Sequence, residues 1–159
     1  MMGVGKTSAG RALASRLGRP FVDLDAEVER DARMSVPELF ERAGEDAFRE
    51  LEHRALERLL RGSALVLATG GGAVLDPRNR ELLRQRAFTV WLDAAPATLA
   101  ARIGDATDRP LLDGGNREAR LEHLLAERRT FYSEAQLRLA TDGLSRAEVV
   151  ARLMAKLGC

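Results

Sequence analysis

Short apolar runs alternate with longer stretches of helical period along most of this chain. The clearest run, residues 64–68, is apolar at every position, which is typical of a strand buried on both faces of a sheet. Residues 21–25, 88–92 and, more weakly, Leu137–Ala140 are further strand candidates. Strands that alternate with helices usually pair in parallel, so the pattern predicts an α/β fold with helices flanking a parallel sheet.

Local signals mark where the helices between these strands begin. Ser35 with Glu38, and Ser145 with Glu148, have the capping-box spacing, in which each side chain satisfies a free backbone N–H of the first turn. Asp76 before Pro77 is a second type of helix start. Helices are therefore predicted over residues 7–17, 35–44, 45–60, 96–103 and 118–130, and from residues 76 and 145 onward.

The composition is that of one soluble domain. The 159 residues are 45% hydrophobic and 31% charged, with a net charge of +1. Acidic and basic residues are interspersed, so we expect no nucleic-acid partner. No apolar run approaches the roughly 20 residues of a membrane span, so we expect no membrane partner either. The single cysteine, Cys159, cannot form an internal disulfide, which favours a reducing cytoplasm.

The segment Gly3-Val4-Gly5-Lys6-Thr7 runs directly into a predicted helix. Glycines let backbone N–H groups surround phosphate oxygens, a lysine reaches the outer phosphates, and a threonine hydroxyl can bind Mg²⁺. The alternative is a glycine-rich start to a surface helix. The full pattern requires one more glycine and a strand before Met1, so we expect that the natural protein begins upstream of Met1 or that the first strand has been lost.

Two aspartates, Asp23 and Asp25, end the first strand candidate. Alternation along a strand places both carboxylates on one side, beyond the carboxyl edge where parallel sheets bind ligands. One could support Mg²⁺ while the other contacts a substrate hydroxyl. The alternative is that Asp25 caps the helix that follows.

Arg49 and Glu52 lie one helical turn apart. They could form an ordinary surface pair, or Glu52 could hold Arg49 so that its guanidinium binds a substrate carboxylate. Three consecutive glycines at residues 70–72 follow a strand and suggest a hinge or the close approach of a ligand.

The segment 104–116 is rich in Gly, Asp and Pro, and we expect it to be a mobile loop in which Arg109 could swing over a nucleotide. Arg128 could contact a ligand or lie on a solvated helix face. We interpret His53 and His123 as surface residues and Trp91 as part of the core.

Taken together, these motifs resemble the shikimate kinase family, in the family's order and from Gly3 to about Thr141. The resemblance implies a single kinase domain over residues 1–159, with substrate-binding helices at about 26–60 and a lid at about 104–116. The implied fold is a five-stranded parallel sheet of nucleoside-monophosphate-kinase type. Its central strand is the one that precedes the phosphate loop, and we expect that strand to be missing from this chain. Without it, neighbouring strands would be left unpaired.

The resemblance also implies the function: transfer of the ATP γ-phosphoryl group to the 3-hydroxyl of shikimate, with Mg²⁺, by a cytoplasmic protein that we expect to be a monomer. Asp25 would contact the reacting hydroxyl, Arg49 and Arg128 would bind the carboxylate, and Arg102 would lie against the adenine. The implied catalytic residues are Lys6, Asp25 and Arg109; the nucleotide-binding residues are Gly3, Val4, Gly5, Lys6, Thr7, Arg102 and Arg109; the substrate-binding residues are Asp25, Arg49, Glu52, Gly70, Gly71, Gly72 and Arg128; and the metal-binding residues are Thr7 and Asp23.

Two alternatives stay open at this stage. Another small kinase of this fold could act on gluconate or a nucleotide, but it would have no reason to keep Arg49, the glycines and Arg128 together. A non-catalytic module that binds shikimate for regulation is the second alternative. Such modules are typically fused to a DNA-binding segment, and none is apparent in these 159 residues.

Overall fold

The computed structural model describes residues 3–103 and 117–158. Helices and short strands alternate within these ranges, as the sequence pattern predicts. The helices are α1 (Lys6–Leu17), α2 (Leu24–Ala32), α3 (Val36–Leu60), α4 (Pro77–Arg86), α5 (Pro96–Ile103), α6 (Arg117–Tyr132) and α7 (Arg146–Leu157), with a short 3₁₀ helix at Ala73–Leu75.

The strands form two separate parallel pairs. In the first pair, β1 (Phe21–Asp23) lies beside β2 (Val66–Ala68), with Asp23 opposite Ala68. In the second pair, β3 (Val90–Asp93) lies beside β4 (Leu137–Ala140). The described residues contain no strand that joins β2 to β3, so the expected five-stranded sheet is not confirmed.

The predicted capping signals are confirmed. Ser35 and Ser145 each complete a capping box, and the Asp76 side chain accepts a hydrogen bond from the backbone N–H of Arg78. Gly44 interrupts α3 with non-helical backbone angles (φ 81°, ψ 174°), which agrees with the prediction of two helices that meet there. The left-handed φ at Gly44 is one that glycine adopts without steric cost.

Three apolar clusters hold these elements together. The first sits between α2, α3 and the 3₁₀ helix and includes the fully buried Leu24, Val28 and Leu56. A second contains Trp91, as predicted, and packs α5 against α6. A third lies between α1, α7 and the strands. The first cluster matters most for function, because it fixes α2 and α3 beside the carboxyl ends of β1 and β2.

None of the helices in the described residues is long and apolar enough to cross a membrane.

The first cluster gives a stability prediction. Replacing the fully buried Leu56 by alanine removes packed methyl groups and leaves a cavity, so the free energy of unfolding should fall by about 2–5 kcal/mol. Leu60, half-buried one turn later on the same helix, is the matched control and should lose less on the same substitution. Urea unfolding measures both, and equal losses would contradict the assignment of Leu56 to the centre of the cluster.

Candidate active site

The candidate site lies at the carboxyl ends of β1 and β2. Because these strands are parallel neighbours, the residues that follow Asp23 and Ala68 meet at one edge. β1 ends at Asp23, and α2 begins at Leu24. The expectation that residues 21–25 form one strand is therefore wrong, because Asp23 caps α2 by accepting a hydrogen bond from the N–H of Asp25 (3.2 Å). Asp25 lies in the first helical turn instead.

The Gly3–Thr7 segment leads into the N-terminus of α1, which begins at Lys6. Gly5 has a left-handed φ of 87°, which directs the chain into the helix and which a residue with a Cβ rarely adopts. The first N–H groups of a helix carry partial positive charge and bind anions. This segment therefore has the backbone form of a phosphate-binding site.

Thr7 on α1 and Asp23 at the end of β1 converge. The Thr7 hydroxyl donates a hydrogen bond to Oδ2 of Asp23 at 2.9 Å. A hydroxyl and one carboxylate, completed by phosphate oxygens and water, is a set of donors that suits Mg²⁺. The two residues named as metal ligands from the sequence thus fit the ion.

Two carboxylates from different helices border the backbone of Gly70. A Cβ placed on Gly70 would lie 2.7 Å from Oδ1 of Asp25 and 3.3 Å from Oε1 of Glu52. Both oxygens are buried and have no hydrogen-bond partner among the described residues. Glycine at this position leaves the space that these carboxylates occupy.

Burial raises the pKa of Asp25 above 3.8, and the neighbouring charge of Asp23 raises it further, while Lys6 lowers it. Burial also raises the pKa of Glu52, although its bond to Arg49 opposes this. Carboxylates with perturbed pKa values, grouped in one place, are typical of a functional site.

Arg49 is held from two sides on α3. Its Nη1 donates to Oε2 of the buried Glu52 at 2.9 Å, as the sequence suggested. Its Nε and Nη2 both donate to Oε1 of the exposed Glu45, at 3.2 and 2.9 Å. A Cβ on Gly72 would lie only 2.5 Å from Nη2. The guanidinium therefore rests directly against the backbone of Gly72.

Helix α6 contacts the backbone of Gly71 and carries a further cation, Arg128. The Tyr132 hydroxyl donates to the carbonyl of Gly71 at 2.7 Å, and Arg128 lies one turn earlier. The Nε of Arg128 is buried without a hydrogen-bond partner among the described residues. Burial raises the pKa of Tyr132, although the charge of Arg128 opposes this.

Arg102 lines a cleft at the phosphate loop, together with Gly5, Ser8, Leu144 and Arg146. Arg102 donates to the side chain and the carbonyl of Thr141, at 3.2 and 2.7 Å. Arg102 therefore lies beside the phosphate loop, and its contact with the adenine stays a prediction.

The predictions for the remaining residues, Arg109 and the two histidines, have different outcomes. Arg109 and the rest of the 104–116 segment lie outside the described residues. His123 is exposed, as predicted. The interpretation of His53 as a surface residue is wrong, because it is half-buried and its Nδ1 lies 2.8 Å from Oδ1 of the buried Asn79.

The sequence reasoning missed Glu45 and Asn79. Glu45 could have been found, because it precedes Arg49 by four residues on a predicted helix, the spacing of a helical ion pair. No comparable signal marked Asn79, which lies in a very polar stretch and is buried where α4 packs against α3 and the 3₁₀ helix.

The likeness to known proteins decides the family. The shikimate kinase family profile matches residues 2–158. The chain belongs to the shikimate kinase family. It is 49% identical to the shikimate kinase of Symbiobacterium thermophilum, over 99% of this chain and 92% of that one. It is 48% identical to that of Ruegeria pomeroyi, over 99% and 81%.

Solved members of the shikimate kinase family share the fold. The structure from Acinetobacter baumannii, determined in complex with shikimate, superposes with a TM-score of 0.90 at 40% identity and covers 99% of this chain and 89% of that one. The structure from Bacteroides thetaiotaomicron gives a TM-score of 0.92 at 35% identity, over 100% and 95%.

The raised pKa of Asp25 predicts that this group lowers stability at neutral pH. Because its pKa in the folded protein exceeds the ordinary value, its favourable contribution is present below about pH 3.8 and is lost as the pH rises through the folded pKa. The Asp25→Asn variant should therefore melt at a higher temperature than the unmodified chain at pH 7, and the difference should shrink as the pH falls toward 4.

Asp46→Asn is the control for this measurement, because Asp46 is an exposed aspartate on α3. Its melting temperature should stay close to that of the unmodified chain. An Asp25→Asn variant that melts lower at pH 7 would show that the carboxylate is favourable in the folded state and would contradict the argument.

Proposed function

We propose that this chain transfers the γ-phosphoryl group of ATP to the 3-hydroxyl of shikimate, giving shikimate 3-phosphate and ADP. The observation that carries the proposal is the convergence of Asp25, the Arg49–Glu52 pair and the glycines 70–72 at one sheet edge, next to Lys6 and the start of α1. Family membership, and the shikimate complex of the Acinetobacter baumannii relative, support this choice of substrate.

Arg49 would bind the carboxylate of shikimate. Its bond to the buried Glu52 fixes the guanidinium, so little side-chain freedom is lost when the substrate binds. Glu45 occupies the Nε–Nη2 edge and is 60% exposed, so a substrate carboxylate can replace it there. Arg128, with its buried Nε, would supply a second cation.

Asp25 would orient the reacting hydroxyl and accept its proton as the phosphoryl group arrives. Burial raises the pKa of this carboxyl, which makes it a better base, while Lys6 opposes the rise and favours the ionised form. Phosphoryl transfer has a loose transition state, so most of the rate enhancement comes from such positioning and from cations near the phosphates.

ATP would place its phosphates on the N–H groups of Gly3–Thr7, with Lys6 beside the outer phosphates and Arg102 against the base. Thr7 and Asp23 would hold Mg²⁺, which when bound neutralises charge on the phosphate oxygens. Arg109 is proposed from the family resemblance alone as a further cation at the phosphates.

We infer that residues 1–159 form a single kinase domain, with substrate-binding helices at about 26–60, and that the two strand pairs are the outer parts of the family's five-stranded sheet. The TM-score of 0.90 to a solved relative over 99% of the chain supports this arrangement. The cytoplasmic location and the monomeric state stay predictions from the sequence.

The first experiment measures ADP release from ATP in the presence of Mg²⁺, with and without shikimate. We expect release that depends on shikimate, and we expect Arg49→Ala to reduce kcat/KM for shikimate by about 10²-fold or more, because a charge-assisted contact to the substrate is lost. Arg54→Ala is the control: Arg54 lies on the same helix in an exposed pair with Glu50 and should leave the rate unchanged.

The outcome without turnover is also informative. A chain that is folded by circular dichroism and binds ATP and shikimate, yet releases no ADP, would contradict the catalytic proposal and favour the regulatory module. A folded chain that binds ATP but does not bind shikimate would instead favour a different substrate.

The contact between Gly72 and Arg49 gives a second prediction. Gly72→Ala places a methyl group 2.5 Å from Nη2, so the guanidinium must shift. We expect KM for shikimate to rise about ten-fold or more, with KM for ATP nearly unchanged, since misplacement by about 1 Å can be that costly. Gly62→Ala is the matched control, because its Cβ would lie at an ordinary 3.4 Å from the Leu59 carbonyl. Equal effects of the two substitutions would contradict the assignment.

A further inference from the structure

The glycine turn, residues 70–75, is held by side chains from the helices around it. The carbonyl of Gly71 accepts a hydrogen bond from Tyr132 on α6 (2.7 Å), and that of Ala73 accepts one from Nδ2 of Asn79 on α4 (3.0 Å). Nη1 of Arg80 donates to the carbonyl of Val74 at 2.8 Å. The position of the turn therefore depends on these helices as well as on β2.

Asn79 is fully buried, and both ends of its amide are bonded. Its Nδ2 donates to Ala73, so its Oδ1 faces Nδ1 of His53, 2.8 Å away. An amide oxygen only accepts, so Nδ1 of His53 carries the proton and donates. Protonation at Nε2 leaves this donor in place, and the bond is therefore kept whichever charge His53 carries.

His53 lies on the same helix as Arg49, the residue proposed to bind the substrate carboxylate. It follows Arg49 by four residues on α3, so the two side chains leave the same face of the helix, one turn apart. The chain of bonds from His53 through Asn79 to Ala73 thus joins α3, one turn after Arg49, to the residue directly after Gly72. The Arg78–Glu50 pair also joins α4 to α3, but both side chains are about half exposed, and such pairs contribute little.

We propose that Asn79 and His53 are positioning residues that hold the glycine turn against the Arg49 guanidinium and so set the carboxylate-binding geometry. The inference rests on the proposed function for the role of Arg49. Arg49 and the Gly72 backbone are in direct contact, so a small shift of the turn changes where a carboxylate can lie. The hydrogen bonds of the two positioning residues join α3, α4 and Ala73 and not the phosphate loop, so nucleotide binding should be unaffected.

The test compares four chains: unmodified, His53→Ala, His53→Gln and His123→Ala. Glutamine can donate to Oδ1 of Asn79 and should restore the bond, whereas alanine cannot. His123, the other histidine, is exposed on α6 and pairs with Glu127 one turn later, so it is the matched control. The readouts are KM for shikimate, KM for ATP and, by calorimetry, the binding of shikimate and of ADP.

For His53→Ala we expect KM and Kd for shikimate to rise by roughly three- to ten-fold, the effect of one neutral hydrogen bond, with the ATP and ADP values unchanged. His53→Gln should restore most of the lost shikimate affinity, and His123→Ala should match the unmodified chain. A role in folding alone would lower the melting temperature without this split between the two substrates.

Two results would overturn the inference: shikimate values for His53→Ala equal to those of the unmodified chain, or equal weakening of shikimate and nucleotide binding. A second variant, Asn79→Asp, keeps the acceptor for His53 but cannot donate to Ala73, and it should also weaken shikimate binding selectively. Failure of the proposed function would appear separately, as an unmodified chain that neither binds shikimate nor releases ADP in its presence.

Discussion

The close approach of two side chains to a glycine backbone is the constraint on which the candidate site depends. Asp25 reaches Gly70 and Arg49 reaches Gly72 at distances that leave no space for a Cβ. A carboxylate and a guanidinium are thereby placed against the same short turn, from two different helices. The turn can serve in this way because it follows directly from β2, whose neighbour β1 leads into the helix that carries Asp25.

This arrangement lowers stability locally, and packing nearby offsets the loss. Asp25 and Glu52 each have a buried oxygen without a hydrogen-bond partner among the described residues, and burial raises the pKa of both. The same helices bury Leu24 and Leu56 completely in one apolar cluster. The buried apolar residues therefore lie next to the two buried carboxylates. Their packing offsets the free-energy cost of carboxylate oxygens that are left without a partner until a ligand binds.

Much of the local structure could be predicted from the sequence. The capping boxes at Ser35 and Ser145, the cap at Asp76 and the break at Gly44 all lie where the residues indicated, because each depends on neighbours within four positions. The predicted boundary between β1 and α2 was wrong, because near neighbours alone do not determine it. Asp23 and Asp25 were both able to cap a helix, and the burial of Leu24 and Val28 of α2 in the apolar cluster favours the helix that starts at Leu24.

For the site, the sequence alone determined which chemical groups are present and in what order: a phosphate loop, two aspartates, an Arg–Glu pair and three glycines. Local spacing was enough for the Arg49–Glu52 bond, because both residues lie on one helix. The tertiary structure decided the contacts between elements distant in the chain, such as Asp25 with Gly70, Tyr132 with Gly71 and His53 with Asn79. These contacts depend on how helices pack around the strand ends, and a polar residue in a polar stretch gives no sign of the partner that will bury it.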